Sequence, residues 1–356
     1  MTGTKKFVQL AVLGLVGFCL SPAARTEDAI QAIQHPMTAP LDPGDPRAID
    51  LDDPALYPPA DIPAEKRSAR FLSTAVAETA ENYDVVTGAV IKTRPVRMMG
   101  VRRAVPGSPG SVPIFDSERI AAGLGFNRVF GTDDRKQVCA SGCSYGPTTA
   151  YPWRTQCKLN ITWKNGSTAG CSGTLIGSRT VITAGHCVYN SGKGGWAKTI
   201  RVRPGKDGTY DPYGSAYASV LHSWTGWTSS NSSDHDMGVI TLGTNIGNTT
   251  GWLGFEWASS FPSSTTLNIA GYPGDKPSGT QWYDYDPLKA QTTYRFYYRV
   301  DTYSGQSGSG VYRFVGDDRY VMAAHSGYNY YLPLFGEYNR GTRITQTKFN
   351  HIVGWL

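Results

Sequence analysis

Three side chains far apart in this chain have the types and the order needed for acyl transfer. The run Asp301-Thr302-Tyr303-Ser304-Gly305-Gln306-Ser307-Gly308-Ser309-Gly310 sets a serine, Ser307, among glycines. Glycine has no Cβ, so backbone N–H groups can converge in such a turn on the point where an oxyanion would develop. Alone, this composition describes an ordinary Gly/Ser turn. Two upstream stretches change the reading. Val181-Ile182-Thr183-Ala184-Gly185-His186-Cys187 is an apolar run that delivers a histidine, and Asp234-His235-Asp236-Met237-Gly238-Val239-Ile240 is an acid leading a second apolar run. His, Asp, Ser is one of the recurring chain orders of the hydrolytic triad. In that chemistry Ser307 is the nucleophile and His186 the base. Asp236 fixes the imidazole tautomer, and the N–H groups of Gly305 and Ser307 bind the oxyanion. Asp234 is the rival acid, but only Asp236 directly precedes the apolar run at 237–242. Taken singly, His186 reads as a structural histidine at a strand end and Asp236 as a solvated turn acid; together the three disfavour those readings.

The elements that must position these residues are strands. Strand-length runs recur between turn signals at 159–163, 173–176, 180–184, 216–222, 237–242, 266–270, 294–300, 310–314 and 320–324. With 41 Gly, 21 Tyr and 9 Trp, that spacing predicts an all-β barrel or sandwich. The end of the chain differs. Phe349, Ile352, Val353 and Leu356 fall at helical spacing behind Thr345, an N-cap, so a packed terminal helix is predicted.

Residues 1–24 read as a signal peptide: Lys5 and Lys6, an apolar core, then the small residues around Ser21-Pro22-Ala23-Ala24. Residues 25–128 read as a weakly structured propeptide. They are rich in Pro, Asp and Ala up to 64 and hold only short apolar runs beyond, such as Val85-Val86-Thr87-Gly88-Ala89-Val90-Ile91. Composition changes near Val129, the expected mature start. An exported chain, extracellular or periplasmic, follows. No run of 18 apolar residues predicts a membrane span. The net charge of +6 belongs to 129–356, where 20 basic residues face 14 acidic ones. It is dispersed, with no basic cluster interleaved with aromatics, so nucleic acid is not an expected partner. Five cysteines follow the signal peptide, and disulfides are the default in an oxidising compartment. Cys171 and Cys187 flank two adjacent strands and would tie down the loop carrying His186; Cys139 with Cys143 is the first choice among the other three, leaving Cys157 over. No second CxxC or HxxxH accompanies them, which disfavours zinc.

The segments around His186, Asp236 and Ser307 resemble the trypsin/chymotrypsin clan and, more narrowly, the bacterial glutamyl endopeptidases. Further matches are Val129-Phe130-Gly131-Thr132-Asp133-Asp134-Arg135, Gly271-Tyr272-Pro273-Gly274-Asp275-Lys276, Asp301-Thr302-Tyr303 and Asn339-Arg340-Gly341-Thr342-Arg343-Ile344-Thr345. The resemblance covers 129–356. It implies two six-stranded antiparallel β-barrels, at about 129–248 and 249–356, with the site between them and a C-terminal helix. It implies a monomeric serine endopeptidase acting on proteins or peptides with acidic residues, needing no cofactor, released from its own propeptide just before Val129. It assigns the substrate carboxylate to His325, in Ala324-His325-Ser326-Gly327, helped by Thr302 and Ser326 and by the α-amino group of Val129. Gln306 stands in place of the acid that animal digestive proteases pair with their new N-terminus. Gly310 stands in place of a usual proline, which is expected to loosen the strand after the nucleophile.

Asp301 supports a runner-up. It lies six positions before Ser307, where trypsin-like enzymes keep the acid that binds Arg or Lys. An aromatic-rich glycan-binding module and an inactive protease-like binding protein are further readings, both disfavoured by the complete set His186, Asp236, Ser307. A count favours cleavage after Glu: residues 129–356 hold two glutamates, Glu256 and Glu337, against twelve aspartates, whereas the leader holds five glutamates. A protease that cuts after Glu gains by lacking such bonds.

Overall fold

The structure, a computed structural model, describes residues 30–33, 78–93, 128–331 and 336–356. The expected signal peptide lies outside the described residues. In chain order the strands are β1 (Ile30–Ile33), β2 (Ala80–Asp84), β3 (Val90–Thr93), β4 (Lys136–Val138), β5 (Gln156–Thr162), β6 (Thr168–Leu175), β7 (Thr180–Thr183), β8 (Tyr189–Asn190), β9 (Gly195–Trp196) and β10 (Thr199–Pro204). They continue as β11 (Ala216–Trp224), β12 (Gly238–Leu242), β13 (Gly254–Ala258), β14 (Thr266–Gly271), β15 (Gln281–Pro287), β16 (Ala290–Gln291), β17 (Arg295–Tyr298), β18 (Gly310–Val315), β19 (Asp318–Tyr331) and β20 (Gly336–Arg343).

Six of them close a first barrel in the order β10-β5-β6-β7-β12-β11, sealed where Arg201 and Val202 pair with Tyr217 and Ala216. Alternate residues point inward, so Leu159, Ile161, Val181, Ile200, Val202, Leu221 and Ile240 fill its centre. The second sheet runs β16-β17-β20-β19-β18-β14-β15. Because β15 leads directly past Pro287 into β16, these segments make six strands around a second core that includes Leu267, Ile269, Phe296, Tyr298, Val311 and Met322. Apart from a short parallel contact between β13 and β19, the second sheet pairs antiparallel. The fold is chymotrypsin-like.

All nine predicted strand runs lie on observed strands. The terminal helix forms at Gln346–Val353, and the Thr345 hydroxyl accepts from Lys348 N at 3.2 Å. Phe349, Ile352 and Val353 bury against Trp224, Met237, Val239 and Phe255, so the helix seals the layer between the barrels. Two readings change. β4 pairs with β15, so the segment after Val129 belongs to the second sheet although it precedes the first barrel in sequence. The leader is more ordered at 78–93 than its composition implied. The apolar run at 85–91 divides between a turn and a strand: Val85–Thr87 turn, Val86 is 88% exposed, Val90 and Ile91 open β3, and β2 and β3 form a hairpin whose β2 pairs with β11.

Candidate active site

β7 ends at Thr183, and the chain enters a helical turn at Gly185–Val188 that projects His186 from the barrel rim. Asp236 sits two residues before β12, the strand paired with β7, so sheet register brings the two residues together. Asp236 is 3% exposed, and its Oδ1 accepts the His186 backbone N–H at 2.8 Å. Its Oδ1 and Oδ2 lie 3.1 and 2.9 Å from His186 Nδ1, which therefore carries a proton and leaves Nε2 free as a base. Burial alone would depress this imidazolium, but the Asp236 charge and hydrogen bond outweigh it and raise the His186 pKa above its ordinary value. Asp234, the rival acid, instead pairs with Arg295 Nε at 2.6 Å.

Ser307 arrives from the second barrel, in the loop before β18. Its carbonyl accepts Ser172 N at 2.8 Å and lies 3.7 Å from Cys187 Sγ. That sulfur is in turn within 4.8 Å of a His186 ring nitrogen, which sets the Ser307 backbone against the loop that carries the imidazole. Gly308 has a φ of +88°, and a Cβ there would overlap Thr183 Oγ1 and Ser172 O; only glycine lets the nucleophile loop press on β6 and β7. Gly305 has a φ of +102°, and a Cβ there would stand 2.6 Å from Tyr272 O. The Gly305 and Ser307 amides donate to no group among the described residues, while Gln306 N and Gly308 N are used by Tyr303 O and His325 O. Two unclaimed donors thus flank the serine. The expected Cys171–Cys187 and Cys139–Cys143 disulfides are present, and Cys157 is free and buried.

His325 and Thr302 are fully buried nearby. The His325 Nδ1 lies 2.7 Å from the Tyr298 hydroxyl, and neither its Nε2 nor Thr302 Oγ1 has a hydrogen-bond partner among the described residues. Burial, then the nearby charge of His186, pushes the His325 pKa down to about 3, so this ring is neutral at working pH. Ser326 shares a hydrogen bond with Thr342 at 3.1 Å. Arg128 and Val129 lie alongside: Arg128 O accepts Thr302 N at 3.1 Å and Asn339 Nδ2 at 2.6 Å.

The comparisons with known proteins agree with this geometry. A family model described as Trypsin matches residues 144–314. A glutamyl endopeptidase of Bacillus licheniformis is 40% identical over 234 residues, covering 64% of this chain and 68% of that protein. The chain belongs to the trypsin family of serine proteases. An extracellular metalloprotease of Bacillus subtilis is 39% identical over 230 residues, covering 64% of this chain and 69% of that one. A solved structure of a Glu endopeptidase in complex with MPD matches with a TM-score of 0.53 and 29% identity, over 63% of this chain and 97% of that one.

Within the family frame, three residues take roles the sequence did not reveal. Asp301 is spent as an anchor: its oxygens accept Phe130 N at 2.8 Å and Asp134 N at 2.9 Å, and it is 2% exposed. Arg135 is buried beneath the nucleophile loop, bonded to Asp133, to Asp275 and to Gln306 Oε1 at 3.4 Å. Gln306 Oε1 also accepts Tyr303 N at 3.0 Å, so the position filled by an acid in animal digestive proteases holds its loop through Arg135. Arg340 is 5% exposed, its Nε and Nη1 have no hydrogen-bond partner among the described residues, and its charge reaches His186 and His325. It lay in the quoted Asn339–Thr345 motif, but a charged residue in a polar segment gives no sign of burial. Gly310 does not loosen its strand. Its N–H donates to Thr174 Oγ1 at 3.0 Å, a bond proline could not make. Among the described residues, the one cluster of three metal-ligating side chains is Cys171, His186 and Cys187, where the two sulfurs are bonded to each other.

Proposed function

We propose that this trypsin-family protease is a secreted endopeptidase that cuts after Glu, and less readily after Asp, through His186, Asp236 and Ser307. His186 takes the Ser307 proton as the oxygen attacks the peptide carbonyl. The N–H groups of Gly305 and Ser307 hold the oxyanion. His186 then gives its proton to the departing amine, and water, activated by the same ring, hydrolyses the acyl-enzyme.

The observation that carries the preference is the pair of buried, unpartnered polar atoms, His325 Nε2 and Thr302 Oγ1. Leaving a buried donor unused costs about 1–3 kcal/mol, a cost that a guest carboxylate removes and an apolar side chain does not. Tyr298, whose pKa burial holds well above its ordinary value, keeps its hydroxyl proton and donates it to His325 Nδ1. That leaves the imidazole proton on Nε2, facing the guest. Arg340 adds positive potential. A cut before Val129 would free an α-ammonium beside Thr302 and Asn339, where Arg128 O is now held. The arginine-directed reading loses its acid, because both Asp301 oxygens are already taken by backbone amides.

The test is a cleavage-site profile of the mature enzyme on a mixed peptide library, with N-terminal sequencing of the same sample. Cuts predominantly after Glu, from a protein starting at Val129, are expected. A preference for Arg or Lys would overturn the specificity.

A further inference from the structure

We propose that residues 78–93 stay seated on the first barrel after the chain is cut before Val129, as a non-covalently held strand donor. The inference takes processing before Val129 from the reading above and concerns what becomes of the leader. The barrel is closed by β10 only at Tyr217 and Ala216, and beyond them that edge of β11 is taken by β2. The ladder runs from Val220 opposite Asp84 to Trp224 opposite Ala80, extended by Val85 N to Ser219 O at 2.9 Å and Thr225 N to Thr79 O at 2.9 Å. Stripped of the hairpin, residues 219–225 would be an open edge, the template for pairing with a foreign strand.

The side chains show a seat shaped for this segment. Tyr83 is 5% exposed and stacks on Trp196, centroids 5.4 Å apart and planes 2° from parallel. Ala80 is fully buried in the layer between the barrels with Trp224. Asn82 lies 2.7 Å from Nδ1 of His222, a buried ring whose Nε2 is 2.8 Å from Thr241 Oγ1. Losing Asn82 would strand a nitrogen in a site that is 4% exposed. Glu78 reaches the cap of the C-terminal helix, accepting the Thr345 hydroxyl at 3.0 Å. The outer strand β3 is exposed at all four residues and finishes the sheet toward solvent.

Seating also protects the hairpin. Glu81, of the residue type the site is proposed to cut after, is 5% exposed and paired to Ser223 on one side and Lys92 on the other. A protease needs an unpaired strand, so the docked segment offers none.

The experiment uses the secreted precursor with Ser307→Ala, which removes self-digestion, and a site-specific protease sequence in place of residues 121–127. After cutting, gel filtration under native conditions and mass spectrometry of the peak report what remains bound. The expected result is a leader fragment containing 78–93 at one copy per protease domain, with at least a tenfold loss of retained fragment when Asn82→Leu and Tyr83→Ala are combined. A protease domain eluting folded and alone would overturn the proposal. So would a double variant that retains its fragment as fully as the parent. Because the protein is inactive and the readout is binding, failure here is separate from failure of the Glu preference.

Discussion

At the scale of single residues, the Asp236 carboxylate does two separable things: it holds the His186 ring by Nδ1 and raises its basicity. Asp236→Asn keeps the shape but presents an amide, which favours the wrong tautomer. We expect kcat to fall about 10⁴-fold, as for removal of the orienting acid in such triads. In the proposed mechanism activity requires neutral His186, so a raised pKa sets the acid limb of the rate profile above the ordinary histidine value. In the residual activity of the Asn variant that limb should move to lower pH, and a limb that stays in place would refute the coupling. His325→Phe keeps ring volume and removes the Nε2 donor. The kcat/KM on Glu substrates should fall roughly 10- to 100-fold, the worth of a hydrogen bond to a charged group, while a serine-directed covalent inhibitor still labels Ser307. Equal loss on substrates with other residues at that position would show that His325 is merely structural. Types, order and offsets were legible at this scale. Direction was not: Asp301 has the offset of a pocket acid, yet its carboxylate turns to the amides of Phe130 and Asp134, a contact across 171 and 167 positions that no local pattern encodes.

At the scale of elements, strand-length runs between turn signals made β5, β7, β11, β12 and β18 readable, whereas β20 gave no signal because Gly-Glu-Tyr-Asn-Arg-Gly-Thr-Arg has no apolar stripe. That strand is held by polar bonds instead. Arg343, 2% exposed, donates to the carbonyls of Thr292, Ala258 and Ser259. The nucleophile turn depends on its glycines, so Gly305→Ala forces a side chain into a φ of +102° against Tyr272 O. Displacing that donor should lower kcat about 10²- to 10³-fold with a smaller change in KM; a near-normal kcat would show that the amide of residue 305 takes no part. The Cys171–Cys187 disulfide closes a loop between residues 16 apart that contains β7 and ends beside His186. Replacing both by alanine should destabilise the protein by about 3 kcal/mol in denaturant melts, by loop-closure entropy. An unchanged midpoint would mean that strand pairing alone fixes the loop.

At the scale of the whole molecule, stability and acidity are linked through three histidines that the fold buries neutral. Burial pushes His222, His235 and His325 each down to about 3, the last two with nearby positive charge adding to the effect. A base whose folded pKa is depressed contributes stability that is complete above its unfolded value and is lost as pH falls toward the folded one. Between pH 7 and 5 the unfolded chain takes up protons at these rings and the folded chain does not, so each costs about 2 kcal/mol by pH 5. Several groups oppose the trend, Glu256 and Asp301 among them, both raised by burial. Asp284, raised to about 6 mainly by burial, returns about 1 kcal/mol over the same window. His186, raised by Asp236, favours the folded state as it protonates. Lys348, lowered to about 8 by burial, is charged in both states below pH 7 and adds no slope there. The three buried rings outweigh these, and a loss of several kcal/mol is a large part of a domain's usual 5–15 kcal/mol. The melting temperature, measured by calorimetry on the Ser307→Ala precursor to prevent self-digestion, should therefore drop markedly from pH 7 to 5, and His222→Gln should shallow the slope by about one proton's worth. A melting temperature that holds or rises on acidification would mean that water or a rearrangement reaches these rings, and the account of a neutral, carboxylate-seeking His325 would have to be rebuilt with it.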